Sequence, residues 1–115
     1  FLVTSVGNVA QTYRLRATTI TAASPWSVAA SSGVDTLTLQ AVFNATQPTG
    51  TQFGDEAILL DSSQVCTASR CAAGQSGVAV PAGGSRLLWL KLGMPTITST
   101  ADAQDLQVTV SVGPP

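Results

Sequence analysis

The side chains in this sequence that could carry chemistry are two cysteines, Cys66 and Cys71, and six carboxylates: Asp35, Asp55, Glu56, Asp61, Asp102 and Asp105. There is no histidine, so the residue whose ordinary pKa lies nearest neutrality is missing as a general base. A glycosidase needs two carboxyl groups at a defined separation across a cleft, and no spacing here demands such a pair. Asp55, Glu56 and Asp61 are close enough in sequence to raise calcium. Their spacing is not that of an EF-hand loop, however, and solvated carboxylates are the plainer reading. The chain is therefore expected to be non-enzymatic, with no cofactor and no metal.

The cysteines stand in C-T-A-S-R-C. With no histidine, two thiols fall short of the four ligands of a tetrahedral metal site, and the spacing is not the Cys-x-x-Cys of redox enzymes. A disulfide pinning one loop is the favoured reading, and two reduced thiols the alternative. So short a closed loop contributes about 2 kcal/mol in the chain-entropy description. A bridge would imply an oxidising compartment. Asn44-Ala45-Thr46 matches the N-glycosylation acceptor pattern, which matters only if the chain meets a glycosylation apparatus.

Composition sets the frame for these residues. The 115 residues suit one domain, 44% of them are hydrophobic and only 10% are charged. Solvated faces must then be covered by Thr, Ser, Gln and Ala, a surface suited to an extracellular or assembled protein. The five basic residues Arg14, Arg16, Arg70, Arg86 and Lys91 are scattered and the net charge is −1. Nucleic-acid binding, which needs clustered positive charge, is rejected. No apolar run is long enough for a membrane span. The start at Phe1, without Met or a signal-like segment, suggests a processed or truncated product.

The elements that must position these residues read as strands. Phe1 to Val6 is a first strand ended by Gly7-Asn8. Thr12 to Ile20 alternates, with Tyr13, Leu15 and Ala17 on one face and Arg14 and Arg16 on the other. Ser24-Pro25-Trp26 is a turn that delivers an aromatic side chain to one end of the core, followed by a short strand over Ser27 to Ala30. Asp35 to Phe43 alternates as a central strand, with Leu37, Leu39, Ala41 and Phe43 on one face. Asn44 to Gly54 is a loop anchored by Phe53, and Asp55 to Asp61 is either a short strand or a helical turn. Val78 to Val80 reads as a strand leading into the turn Pro81-Ala82-Gly83-Gly84.

The next strand is apolar on both faces. Leu88, Leu90 and Leu92 point one way and Leu87, Trp89 and Lys91 the other, so something must cover Leu87 and Trp89. The inserted 44–77 region or a neighbouring subunit is the candidate cover. A polar connection over 96–105 leads to the last strand, Leu106 to Val112. Seven to nine such strands imply an all-β sandwich of two packed antiparallel sheets, one domain over 1–115 with an elaborated region at 44–77. Trp26 and Trp89 are the expected core anchors.

The segment Val6-Gly7-Asn8-Val9-Ala10-Gln11-Thr12-Tyr13-Arg14-Leu15 resembles the G-N-x-A-x-T-Y-x-L opening of immunoglobulin-like modules of bacterial and archaeal surface or secreted proteins. Pro25-Trp26-Ser27-Val28 resembles their aromatic strand, Val80 to Leu92 their Pro-x-Gly-Gly-Ser turn and following strand, and Leu106 to Val112 their closing strand. The chain departs from them between Asp35 and Gln75, where it inserts a strand, a long loop and the cysteine pair. The resemblance implies an immunoglobulin-like fold, an extracellular or cell-surface location, and a role as spacer, adhesive element or assembly subunit. It brings no catalytic residues with it.

The functional expectation is a structural protein, either a repeat of a larger surface protein or a self-assembling filament subunit. Its partners would be adjacent domains or copies of itself. Phe1, Leu2, Val3, Thr4, Ser5 and Val6 form the candidate assembly strand, pairing with a neighbour's sheet edge. The alternative is an adhesive module binding carbohydrate or protein through the Asn44 to Gly54 loop, for which few aromatic residues are left once the core is filled.

Overall fold

The computed structural model describes residues 1–53, 58–60, 62–67, 71 and 74–115. Among these the chain is all-β, with eight strands in two interacting sheets: β1 (Leu2–Thr4), β2 (Thr12–Thr19), β3 (Ser27–Val28), β4 (Thr36–Phe43), β5 (Ile58–Leu59), β6 (Gln64–Val65), β7 (Ser85–Gly93) and β8 (Leu106–Gly113). One sheet runs β1-β7-β4-β3, with β5 also paired to β4, and the other runs β6-β2-β8.

The long strands form where the period of two is strongest. β2 places Tyr13, Leu15 and Ala17 in the interior and leaves Arg14 and Arg16 exposed. β4 sets Leu37, Leu39, Ala41 and Phe43 against them, and Leu88 of β7 joins the same cluster. Tyr13 and Phe43 meet as a tilted ring pair with centroids 5.8 Å apart, worth about 0.5–1.5 kcal/mol beyond the area they bury. β8 pairs with β2 along its full length, from Thr19↔Leu106 to Thr12↔Gly113.

The turn before β7 forms where expected. Gly83 has φ +71, a conformation that carries no side-chain penalty only in glycine. A Cβ on Gly84 would stand 2.8 Å from the Pro81 carbonyl oxygen, so both glycines are required by the turn. β1 docks beside it: Ser5 N–H donates to the Gly84 carbonyl and Gly83 N–H to that of Ser5.

Four expectations need correction. The sheets are not wholly antiparallel, because β3 pairs with β4 in parallel, Ser27↔Thr36 and Val28↔Leu37. The chain turns back within residues 29–35, helped by Asp35 at φ 51. Val78 to Val80 is not a strand. Ala79 adopts φ 50 and only Val80 bridges, to Gln11. A short strand at Gln64–Val65 pairs with β2 where none is evident from the sequence. Finally, Trp89 does not fill inter-sheet space. It shares the outer face with Val42, its register partner, opposite to the face that carries Leu88.

The loop after β4 covers that outer face. Trp89 donates its indole N–H to the Asn44 carbonyl at 3.0 Å, Gln40 donates its side-chain amide to the Phe53 carbonyl, and the Lys91 ammonium stands 6.0 Å above the Phe53 ring. Val42 beneath is 2% exposed.

Candidate assembly groove

The open feature of the molecule lies on the inner face of β7, where the sandwich does not close. β7 pairs with β4 along one edge. Along the other it has β1, but only from Ser85 to Leu87, with one further exchange in which Phe1 amine donates to the Leu88 carbonyl and Leu88 N–H to that of Phe1. Antiparallel pairing alternates. The backbone groups of Leu90 and Leu92 therefore point to the same edge as those of Leu88, and no strand among the described residues pairs there. β8 likewise pairs only with β2, so its other edge is unpaired among the described residues.

Between these two edges runs an apolar groove of about 530 Å³. Leu88, Leu90 and Leu92 of β7 form one wall, Leu106, Val108 and Val110 of β8 the other; Phe1, Val3 and Leu39 complete it. Among the described residues the lining has no charged side chain. Alternation puts these side chains inward, yet Leu92 is 50% and Phe1 80% exposed, because no strand lies over them. A wall of aliphatic side chains beside unpaired strand backbone cannot polarise a bond or hold an ion. It can bind an extended peptide, whose backbone pairs with the edge and whose alternate side chains enter the groove.

At Leu92 and Leu106 the groove meets a second cleft of about 430 Å³, bounded by Trp26, Met94 and the 98–106 connection. This end is held by polar contacts. Trp26 donates its indole N–H to the Thr98 hydroxyl at 2.9 Å, and Ser24 donates its hydroxyl to Gln104 Oε1. Asp35 accepts from both the hydroxyl and the N–H of Ser99, each at 2.6 Å. The Ser99 hydroxyl and then its N–H hold the Asp35 carboxyl below its ordinary value, because both bonds favour the charged form.

The residues singled out from sequence fall in different places. Cys66 and Cys71 form a disulfide. Both are buried, and Cys71 Sγ accepts the Phe43 N–H at 3.2 Å. The bridge thus ties Cys66 to Cys71 within the core. Asn44 is 9% exposed at the end of β4, which leaves little open surface for a glycan on the folded chain. Trp26 packs, partly buried, against the core. Phe1 and Val3 line the groove, Leu2 and Thr4 face outward with Leu87 and Ser85, and Val6 is 98% exposed. Asp102 and Asp105 lie at the second cleft, while the calcium and glycosidase candidates Asp55, Glu56 and Asp61 lie outside the described residues. Among the described residues no group of three or more His, Cys, Asp or Glu could hold a metal ion. No helix among them is long and apolar enough to cross a membrane.

Sequence reasoning missed the groove itself. The signal was the two-sided apolarity of β7, which pointed to a need for cover over Leu87 and Trp89. The 44–53 loop lies over Trp89 on that outer face, whereas on the inner face Leu90 is half-buried and Leu92 is left open.

No family model matches the chain. No curated protein and no solved structure is significantly similar to it either.

Proposed function

We propose that this chain is a non-catalytic structural module of an extracellular or cell-surface assembly, either a repeat of a surface protein or a filament subunit, joined to its neighbours by strand addition. The observation that carries the reading is the unclosed side of the sandwich, where an apolar groove lies between the part of β7 beyond Leu88 and the free edge of β8, neither of which pairs with a strand there among the described residues. Proteins protect long edges with charge, proline or bulges. β8 from Leu106 to Gly113 has no charged residue and no proline, as suits an edge that is to be paired. The buried Cys66–Cys71 bridge supports an oxidising compartment.

An immunoglobulin-like sandwich is the fold we propose. Two pairings support it: β4 with β7 and β2 with β6 have the relation of the C–F and B–E strands in that arrangement. The end strands depart from it. β1 pairs with β7 and β8 with β2, whereas in the immunoglobulin order the first strand pairs with the second and the last with its predecessor.

Electron microscopy of material from the native source tests the reading. The expected image is an array or filament with subunits repeating near the 46 Å long dimension of the molecule; dispersed single domains would refute it. The second cleft favours one alternative, an adhesive module that places a sugar or peptide against Trp26, Thr100, Asp102 and Gln104. On that reading Trp26→Ala abolishes binding on a glycan or peptide array, and an array without any binder removes it.

A further inference from the structure

We propose, resting on the strand-accepting reading above, that the strand entering the groove is the first strand of a second copy of this chain, seated two residues further along β7 than β1 sits in its own molecule. The donor is identified by what already occupies one end of the site. Phe1, just before β1, and Val3 within it line the groove, so the spacing and apolar character of this segment fit the wall formed by Leu88 and Leu90.

Release of the segment breaks the Ser5 bonds to Gly83 and Gly84 but uncovers little of the residues before it. β1 has three register pairs, Phe1 is 80% and Leu2 67% exposed, and the following residues Val6 and Val9 are 98% and 61% exposed. A second copy offers backbone bonds of the same kind and parity on its own β7, so strand exchange between identical chains costs little.

Within one molecule β1 cannot advance. Ser5 N–H is bonded to Gly84 and Gln11 N–H to Val80, which fixes the segment against the turn at residues 81–84. A donor from another molecule has no such tether to the acceptor. It can shift towards Gly93, and two residues is the smallest step that keeps Phe1 and Val3 facing inward. The native pairs Leu2↔Leu87 and Thr4↔Ser85 then become Leu2 opposite Trp89 and Thr4 opposite Leu87. Phe1 comes to lie opposite Leu90, the first inward residue of β7 that β1 leaves unpaired. The gain is apolar area removed from water at Leu90, Leu92 and Leu106.

Cysteine cross-linking between separately prepared chains tests this. Phe1 and Leu88 exchange both backbone bonds, so odd-numbered β1 residues occupy hydrogen-bonded sites. Even-numbered ones occupy the closer non-hydrogen-bonded sites, where an opposed pair meets disulfide geometry. Thr4→Cys chains are mixed with Leu87→Cys chains, concentrated, oxidised and run without reductant. The expected product is a covalent pair at twice the 11.7 kDa chain mass, in several-fold excess over that from Leu2→Cys mixed with Leu87→Cys. A single chain carrying both Leu2→Cys and Leu87→Cys should close internally when dilute, which shows that the substituted chains fold with β1 on β7. Mixed chains that associate but give no link, a link only through Leu2→Cys, or a self-link through Thr109→Cys on β8 would each overturn the proposal. Those outcomes leave the strand-accepting reading standing. Wild-type chains that remain single at every concentration would remove that reading instead.

Discussion

At the scale of the residue, two leucines of β7 separate the core from the groove. Leu88 is 3% exposed and packs with Phe43 and Leu39, whereas Leu92, on the same face of the same strand, is 50% exposed. Leu88→Ala should lower the free energy of unfolding by about 2–5 kcal/mol. Leu92→Ala should change it by no more than about 0.5 kcal/mol, while weakening self-association. Denaturant titration with matched sedimentation of both variants checks the pair. Asp35 gives a pH signature. Its folded carboxyl titrates below its ordinary value because Ser99 donates to it twice. A depressed folded pKa contributes stability that is present above the unfolded pKa, near 3.8, and is lost as pH falls through the folded value. Melting temperatures recorded from pH 6 to pH 2 should therefore fall less steeply for Asp35→Asn than for the wild type in the acid limb. Parallel curves would show that the Ser99 contacts carry no such linkage.

At the scale of the element, the disulfide and the buried glycine beside it hold the loop side of the sandwich. Cys66–Cys71 closes a short loop, so replacing both by Ser should cost about 2 kcal/mol, read as a shift in denaturant midpoint with unchanged slope. Gly77 lies where an added Cβ would stand 3.0 Å from the Phe43 ring. Gly77→Ala should accordingly destabilise by about 1–3 kcal/mol through overpacking. The strands most readily read from sequence were those with a clean period of two against one core. Tyr13, Leu15 and Ala17 and the Leu37 to Phe43 set went where their alternation placed them. What escaped depends on information that alternation lacks. Positive φ at Ala23, Asp35 and Ala79 carries no residue signature like that of glycine, so the bend into β3 and the loss of the 78–80 strand were not legible. Nor does alternation say which edge of a strand is paired, and the candidate site is made of unpaired edges. Trp89 could be assigned a face, but not which face was the core.

At the scale of the whole molecule, the two sheets meet around Tyr13, Leu15, Phe43 and Leu59 and remain open between β7 and β8. A sandwich open on one side leaves Leu92 exposed where a strand would cover it, and the chain supplies β1, already seated at the mouth of the gap. On the proposed reading, association at high concentration follows from this one feature. The most direct measurement is sedimentation velocity over a thousand-fold range of concentration, on the wild type and on Leu92→Lys, which places a charge in the groove while leaving the buried core untouched. The account predicts a wild-type mass rising in multiples of 11.7 kDa and a variant that stays at the single-chain mass with an unchanged melting temperature. A wild type that remains at 11.7 kDa throughout, or a variant that associates as readily as the wild type, would contradict it.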